Sequence, residues 1–385
     1  MTARPITEIG AAVVGTGLIG VIHVEALRRL GVQVRGVVGS SHSRAVERAK
    51  ALALPPAYES FEAMLADPRV DVVHITSPNH LHYPQAKAAL VAGKHVICEK
   101  PLTMTSNESA ELVRLAEASG LINAVNFNLR FYPICRHLHQ FVREGGIGEV
   151  RLVSGHYLQD WLLLDTDWNW RLDPELSGNL RAVVDIGSHW MDLTSHVTEQ
   201  QIVSVMADLK TFIPVRQQPT GPVETFGKAA GPTTVRTITT EDCATILLRF
   251  EGGAIGNLTI SQISAGRRNE LEFEIDGSKA AAAWNSEHPD ELWIGHRGRP
   301  NEILPRDPSL LNAEGRATAG LPGGHNEGFA DTFKALYRSV YRAVAGDGPG
   351  ELDYPTFADG HESMLVCEAV ARSAGQGAWQ PVDRT

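Results

Sequence analysis

A lysine in the stretch ICEKP, residues 97–101, has the setting of a reactive group. Lys100 closely follows a run of apolar residues and stands between the carboxylate of Glu99 and Pro101. An ammonium group there can hydrogen-bond a hydroxyl, and its charge can stabilise the alkoxide that develops when hydride leaves the neighbouring carbon. Pro101 would fix the turn that aims the lysine. We therefore predict that Lys100 holds a reacting oxygen, against the alternative of an ordinary surface lysine.

A second group of residues could move a proton. In the stretch DIGSHWMD, Asp185 and His189 are four residues apart in a predicted helix over residues 180–197, so their side chains should share one face. A carboxylate one turn away can orient an imidazole and stabilise its protonated form. Asp192 and His196 repeat the spacing, but further clustered ligands are lacking. We therefore expect a proton-transfer pair at the first step and no metal.

The first third of the chain must position Lys100. It alternates short apolar runs with amphipathic stretches, which is typical of βα units that form a parallel sheet. The predicted strands cover residues 11–14, 34–38, 70–76, 95–98 and 122–127, and the predicted helices cover residues 21–30, 43–52, 84–92 and 107–119. Lys100 follows the fourth strand, and an open α/β sheet binds ligands at the carboxyl ends of its strands.

A glycine-rich turn, GTGLIG, joins the first predicted strand to the first helix. Gly15 allows the tight turn, Gly17 lets a pyrophosphate approach the backbone, and Gly20 lets the helix pack closely on the strand. The first N–H groups of the helix, including those of Leu18 and Ile19, would bind the anion. This context predicts a doubly wound Rossmann domain over residues 1–128 that binds a dinucleotide, rather than a purely structural turn.

The residues after the second predicted strand leave the choice between NAD and NADP open. A fold that binds NAD usually has an acidic residue there for the ribose hydroxyls, but this chain has Gly39, Ser40 and Ser41. Ser40, Ser41 and Arg44 could bind a 2′-phosphate, which favours NADP slightly. The alternative is that Ser41 or Ser43 caps the next helix and that Arg44 is a solvated surface charge.

The rest of the chain predicts a second domain over residues 129–385. Strands at 150–158, 243–250, 254–261 and 270–275 follow one another through glycine-rich turns, as in a mostly antiparallel sheet. Helices at 326–345 and 356–373 are expected to cover one of its faces. The predicted fold class is therefore α/β, with an N-terminal Rossmann domain and a C-terminal α+β domain for substrate binding and oligomerisation.

Composition excludes several other classes of protein. The 385 residues are 43% hydrophobic and 21% charged, which is enough for two cores. A formal charge of -10 predicts no nucleic-acid partner. The four cysteines are far apart and predict neither disulfides nor a zinc site. The sequence has no apolar run of membrane-spanning length and no signal-peptide pattern at its N-terminus, so we expect a cytoplasmic protein without a membrane partner.

Four motifs, GTGLIG, SPNHLH, CEKP and DIGSH, resemble in order and spacing those of the Gfo/Idh/MocA oxidoreductases, the family of glucose-fructose oxidoreductase and inositol dehydrogenase. The resemblance extends over most of the chain. It implies that Lys100 lies beside nicotinamide and substrate and that Asp185 and His189 are the proton-transfer pair. The further residues assigned to the cofactor by this likeness are Ser77, Asn79, His82, Glu99 and Asn128. For Asn79 the alternative is a helix cap.

A tryptophan-rich stretch predicts a sugar substrate. Trp161 and Trp168 stand near Arg171 among carboxylates and an amide, and a pyranose needs flat apolar faces together with many hydrogen-bonding groups. The alternative is that these tryptophans pack the sheet or a subunit interface. The family resemblance adds Arg130 and Tyr132 of NFNLRFYP. The predicted substrate-binding residues are Lys100, Arg130, Tyr132, Trp161, Trp168, Arg171, Asp185 and His189.

These features together predict an NAD(P)-dependent oxidoreductase that transfers a hydride between nicotinamide and a hydroxyl or keto group of a sugar, sugar derivative or polyol. Resemblance to the family implies a homo-oligomer, a dimer or a tetramer. It also leaves open an NAD-dependent glycosidase, which oxidises a ring hydroxyl transiently and returns the hydride after elimination. A third alternative is a cofactor-sensing regulator, against which Lys100, Asp185 and His189 argue.

Overall fold

The computed structural model describes residues 4–221, 231–347 and 353–384, which group into two compact units. The first unit comprises Met1–Asn128 and Ala330–Met364, and the second comprises Leu129–Phe329 and Leu365–Thr385. This division differs from the predicted second domain over residues 129–385, because a C-terminal segment packs with the nucleotide-binding fold.

The first unit is built on a parallel sheet of five strands in the described residues. In spatial order β2-β1-β3-β4-β5, the strands are β1 (Gly10–Val14), β2 (Gln33–Val38), β3 (Val72–Ile75), β4 (His95–Cys98) and β5 (Asn123–Val125). All four strand pairings are parallel, which confirms the prediction. Strands β1 and β3 are wholly buried, as expected of strands covered on both faces.

Helices follow the strands of the first unit in βα order. They are α1 (Leu18–Arg29), α2 (His42–Ala51), α3 (Phe61–Ala66), α4 (His82–Val91) and α5 (Ser106–Ser119). Helix α5 begins with a capping box, in which the Thr105 side chain accepts from the Glu108 N–H and the Glu108 side chain accepts from the Thr105 N–H. The short helix α3 is absent from the sequence prediction.

The second unit contains a mixed, mostly antiparallel sheet of nine strands among the residues described. Its spatial order is β15-β14-β13-β12-β6-β11-β10-β7-β16. The strands are β6 (Val150–Leu158), β7 (Ile202–Lys210), β10 (Cys243–Phe250), β11 (Ile255–Ser261), β12 (Glu270–Gly277), β13 (Ala281–Asn285), β14 (Glu291–Gly295), β15 (Glu302–Pro305) and β16 (Gln380–Pro381). Strands β8 (Val215–Pro219) and β9 (Thr233–Thr237) form a separate hairpin.

One face of the nine-stranded sheet is packed against helices. The second unit has α6 (Pro133–Arg143), α7 (Pro174–Ser177), α8 (Ser188–Thr198) and α9 (Ala313–Thr318). Buried residues of α6 and α8, such as Leu138 and Trp190, share one core cluster with the buried residues of β10, Ile246, Leu248 and Phe250. Residues between these in β10 are exposed, so the strand alternates as a half-covered sheet requires.

The two late helices are α10 (Phe329–Val344) and α11 (Phe357–Gln376). The sequence predicts both, but it wrongly places α10 on the antiparallel sheet. Phe333, Tyr337 and Tyr341 of α10 are instead buried in the first unit, where their rings contact those of His23 and His74. The apolar stripe of α10 is therefore matched to aromatic partners that no local pattern reveals. None of the described helices is long and apolar enough to cross a membrane.

Candidate active site

The glycine turn after β1 leaves room for an anion. Gly15 has a φ of 105°, and a Cβ there would lie 2.5 Å from the Thr76 hydroxyl oxygen. A Cβ at Gly20 would lie 2.2 Å from the Gly15 carbonyl oxygen, so helix and turn are in close contact. At Gly17 a Cβ would meet nothing within 4 Å, and no side chain caps α1 at this residue. Open space beside an uncapped helix start fits a pyrophosphate.

The residues after β2 are exposed, and one of them caps a helix. The Ser41 hydroxyl accepts a hydrogen bond from the Arg44 N–H, 3.4 Å away, at the start of α2. The capping alternative is therefore confirmed for Ser41. Ser40 and the Arg44 side chain are exposed beside it.

His82 joins the turn after β3 to the turn after β4. Its Nε2 lies 2.8 Å from the Ser77 carbonyl oxygen and its Nδ1 lies 2.7 Å from the Pro101 carbonyl oxygen. Burial lowers the pKa of His82, and the hydrogen bonds to the two carbonyls oppose that shift. The Ser77 hydroxyl donates to Gln85. His82 is thus placed to hold the backbone around the predicted cofactor residues.

Asn79 lies in the 3₁₀ turn Asn79–Leu81, after Ser77 and before α4. It does not have the N-cap position of α4, which belongs to Leu81. Whether Asn79 binds the cofactor or caps a helix stays a prediction. Asn79 is 8% exposed, in the turn at the carboxyl end of β3.

Lys100 stands two residues after β4, at the carboxyl end of the sheet, and is partly exposed. The Glu99 carboxylate before it is buried and accepts hydrogen bonds at both oxygens. His23 Nε2 lies 3.0 Å from Oε1, the Asn126 amide donates to the same oxygen, and the Lys100 N–H donates to Oε2 over 3.2 Å. The Asn126 Oδ1 atom is buried and has no hydrogen-bond partner in the described residues. A buried acceptor of this kind fits a site completed by a bound polar group.

The residues at the end of the first unit and the start of the second have partners of their own. The Asn128 amide donates to the Thr332 hydroxyl over 2.7 Å. The Arg130 Nε donates to Asp192 over 2.8 Å. The Tyr132 ring is buried, with its centroid 5.1 Å from that of Trp284. The functional roles assigned to Asn128, Arg130 and Tyr132 stay predictions.

The segment that carries Asp185 is not the regular α-helix predicted over residues 180–197. A π-helix, Val183–Gly187, precedes α8, so Asp185 and His189 are not separated by one ordinary α-helical turn. The buried carboxylate of Glu241 accepts from the backbone N–H groups of Arg181 and Val183. This carboxylate caps the start of the wider turn.

Asp185 is held at both of its oxygens. The Arg171 Nε donates to Oδ1 over 3.0 Å, and the Gln262 amide donates to Oδ2 over 2.9 Å. Arg171, predicted to bind substrate, therefore forms an ion pair with a predicted catalytic residue. His189 is 9% exposed, and its ring centroid is 6.5 Å from that of Tyr157. Burial and the charge of Asp185 raise the pKa of Tyr157, so its hydroxyl stays protonated.

A buried ionic network lies behind Gln262. Arg181 donates to the side-chain oxygen of Gln262 over 3.1 Å and to the Asp242 carboxylate. Arg216 donates to the same Asp242 oxygen over 3.0 Å and to the carbonyl oxygens of Leu162 and Leu164. The side chains of both arginines and of the aspartate are fully buried. The network therefore links the support of Asp185 to the tryptophan-rich stretch.

The tryptophans of that stretch have packing roles. Trp161 and Trp168 are partly buried against a small cluster of Leu162, Leu172 and Ile238. The Trp161 indole N–H donates to the Gln159 side chain over 2.7 Å. Both tryptophans thus have packing contacts, and their role in substrate binding stays a prediction. Each keeps some exposed surface.

A parallel sheet with an open glycine turn after its first strand and a lysine at the end of its fourth strand characterises a dinucleotide-binding oxidoreductase of the Rossmann fold. Residues 9–127 match the family model described as "Oxidoreductase family, NAD-binding Rossmann fold". Residues 135–283 match the GFO/IDH/MocA C-terminal domain. The chain belongs to the Gfo/Idh/MocA family of oxidoreductases.

Similar proteins cover nearly the whole chain. Levoglucosan dehydrogenase of Pseudarthrobacter phenanthrenivorans is 28% identical over 391 residues, which cover 97% of this chain and 98% of the relative. A levoglucosan dehydrogenase structure with NADH and L-sorbose has a TM-score of 0.87 at 27% identity, with 98% of this chain and 99% of that chain covered. An inositol dehydrogenase homologue of Azotobacter vinelandii, solved with NAD+, also has a TM-score of 0.87 at 27% identity, with 99% of both chains covered.

Proposed function

We propose that this chain oxidises a hydroxyl group of a sugar, sugar derivative or polyol with NAD or NADP, or reduces the corresponding carbonyl group. The observation that carries the proposal is Lys100 at the carboxyl end of β4, next to a carboxylate fixed by buried donors. The NAD-binding family supports the cofactor class. The sugar ligands and names of the relatives support the substrate class, and they favour hydride transfer over glycoside hydrolysis.

Each residue has a definite part in the proposed reaction. When bound, the nicotinamide takes up or returns the hydride. Lys100 hydrogen-bonds the reacting oxygen and stabilises its developing negative charge. His189 removes the hydroxyl proton, and Asp185 stabilises the imidazolium that results. Arg171 and Gln262 hold Asp185 in place.

The cofactor is held by backbone groups in this proposal. The N–H groups of Leu18, Ile19 and Gly20, at the start of α1, bind the pyrophosphate without a competing cap. The exposed faces of Trp161 and Trp168 contact the apolar side of the sugar ring.

The first test assays sugars, polyols and aryl glycosides with and without added NAD or NADP. Reduced nucleotide that accumulates only with added cofactor supports the proposal. Lys100→Met and His189→Asn should each lower kcat by roughly 10²- to 10⁴-fold. Lys87→Met, at an exposed lysine paired with Glu111 on the surface, should leave kcat unchanged. Release of the aglycone without net nucleotide reduction would overturn the proposal in favour of a glycosidase.

The nucleotide preference is a separate part of the proposal. Ser40 and Arg44 are exposed after β2, where the sequence has no acidic residue, so we propose that NADP is used at least as well as NAD. Ser40→Asp should shift the preference towards NAD, because a carboxylate accepts from the ribose hydroxyls and repels a 2′-phosphate. Arg44→Ala should raise KM for NADP alone. Strict use of NAD, with no effect of Arg44→Ala, would overturn this part.

The outer face of the nine-stranded sheet supports a homo-oligomer. Leu247 of β10 is 46% exposed, and its cross-strand neighbour Met206 of β7 is 36% exposed. Ile255 of β11 is also exposed. We propose that this face joins copies of the chain as a dimer or tetramer. Light scattering should show an oligomer that Leu247→Lys dissociates, and a monomeric parent protein would overturn the proposal.

A further inference from the structure

Behind Glu99, three buried side chains form a hydrogen-bonded row. The Tyr341 hydroxyl lies 2.9 Å from His74 Nε2, the two Nδ1 atoms of His74 and His23 are 3.0 Å apart, and His23 Nε2 lies 3.0 Å from Glu99 Oε1. His23, His74 and Tyr341 are each 0% exposed. The three come from α1, β3 and α10 of the first unit.

If both rings are neutral, the contacts admit one arrangement of protons that satisfies every pair. A carboxylate only accepts, so His23 carries its proton on Nε2. The Nδ1 of a neutral His23 is then an acceptor, and the Nδ1 of His74 must donate to it. His74 Nε2 is left as an acceptor for the Tyr341 hydroxyl. A second proton on either ring would instead make the His74 Nε2–H donate to the Tyr341 oxygen, since a phenol can also accept.

The surroundings of His74 favour a neutral ring. Burial, with the nearby ring of His23, holds the pKa of His74 well below its usual range. The aromatic ring of Tyr337 packs edge-on against His74, with 4.8 Å between centroids, and Phe333 contacts His23. At the end away from Glu99 the row stops at Tyr341, which is fully buried. Its donors all point towards Glu99.

We propose that His23 and His74 are positioning residues, which hold the Glu99 carboxylate in one charge state and one orientation and so fix the backbone that carries Lys100. The link is direct, since Glu99 Oε2 accepts the N–H of Lys100 over 3.2 Å. Neutral donors suit this task, because they anchor the carboxylate without adding a charge that competes with the ammonium group. The inference rests on the proposed role of Lys100.

The first test needs neither substrate nor a variant. Nitrogen-15 NMR of the histidine rings distinguishes the two neutral tautomers and the protonated form. We expect His23 as the Nε2–H tautomer and His74 as the Nδ1–H tautomer. The opposite tautomer, or a protonated ring, at either residue would overturn the inference whatever the activity of the enzyme.

The second test separates polarity from packing. Glutamine at residue 23 offers one donor and one acceptor, as the neutral imidazole does, whereas leucine offers neither. His23→Leu should lower kcat roughly 10- to 100-fold with little change in KM, and His23→Gln should restore most of that loss. His74→Leu should have a smaller effect, and Tyr341→Phe the smallest, because each is further from Glu99.

The outcomes distinguish the two proposals. Equal loss in His23→Gln and His23→Leu would mean that only packing matters, which overturns the positioning role. If His23→Leu does not fold, the pair His74→Gln and His74→Leu makes the same comparison. If the parent protein turns over no sugar or polyol, the proposed function fails, whereas the tautomers of His23 and His74 still decide whether the row is polarised towards Glu99.

Discussion

Glu99 in the first unit and Asp185 in the second are carboxylates fixed at both oxygens, but the side chains that support them differ. The row behind Glu99 consists of two imidazoles and a phenol. Asp185 is held by the Arg171 guanidinium and the Gln262 amide, and the network behind Gln262 contains full charges that are wholly buried. One carboxylate is therefore supported by imidazoles, which we propose to be neutral, and the other by an ionic network.

The difference predicts which kind of change destabilises the support of each carboxylate. In a buried ion network, removal of one partner leaves an uncompensated charge in a medium of low polarity. A neutral row that loses one member loses a hydrogen bond and leaves one polar atom without a partner. Acid protonates ordinary imidazoles below about pH 6.5 and ordinary carboxylates only below about pH 4, whereas guanidinium groups are already protonated. The two supports should thus respond to different perturbations.

The largest expected effect follows from removing the negative charge of Asp242, which pairs with both Arg181 and Arg216. Asp242→Asn should lower the free energy of unfolding by about 3–5 kcal/mol, because both guanidinium groups would stay buried without their anion. Denaturant unfolding measures the change. The matched control is Asp383→Asn, which breaks an exposed pair with Arg372 and should cost at most about 1 kcal/mol. Similar values for the two variants would contradict the distinction between the supports.

A smaller effect is expected at Gln262, which joins the ionic network to Asp185. Gln262→Met keeps the volume but removes one donor to Asp185 and one acceptor for Arg181, so roughly 1–3 kcal/mol of stability should be lost. Because Asp185 would also be less fixed, kcat should fall more than KM rises. Gln33→Met removes an exposed hydrogen bond to the Thr7 carbonyl and serves as control. If kcat is unchanged, Gln262 does not position Asp185.

The smallest effect concerns pH and the neutral row. Burial lowers the pKa of His74 and of His82 in the folded state. In the unfolded chain both side chains take up a proton at about pH 6.5. Below about pH 6.5 the unfolded state binds more protons than the folded state. The stability that the two histidines contribute is therefore present above this pH and is lost as the pH falls. Each histidine contributes at most about 1.4 kcal/mol for every pH unit.

Unfolding curves recorded at falling pH measure this loss. His74→Gln should make the decline in stability shallower than in the parent protein, since one titrating group is gone while the polarity of the row is retained. Asp242→Asn, which contains the same histidines, should keep the parent slope at a lower stability. If the stability of His74→Gln declines with pH as steeply as that of the parent protein, folding does not keep His74 neutral.

Local patterns account for most of what the sequence could predict. The parallel strands, the glycine turn and the place of Lys100 each depend on neighbours within a few residues, and all three are present in the structure. The partners of the two carboxylates are distant in sequence: Tyr341 is 267 residues from His74, and Gln262 is 77 residues from Asp185. Periodicity has no information about such pairs, so the buried supports were not predicted.

Two features near Asp185 were not predicted. The Arg171 side chain pairs with the partly buried carboxylate of Asp185, and the predicted role of Arg171 in substrate binding is not tested by this contact. The π-helix Val183–Gly187 leaves no mark on the hydrophobic pattern of its sequence. It becomes visible only when the backbone N–H groups bound by Glu241 are located.

The packing of α10 on His23 and His74 affects the order in which the protein can fold during synthesis. Tyr341 is translated 267 residues after His74. At about 5–20 residues per second, the ribosome needs on the order of tens of seconds to bridge that interval. Until then α10 cannot pack on the imidazoles of His23 and His74. The nascent nucleotide-binding unit therefore exposes these two polar rings, to which chaperones can bind.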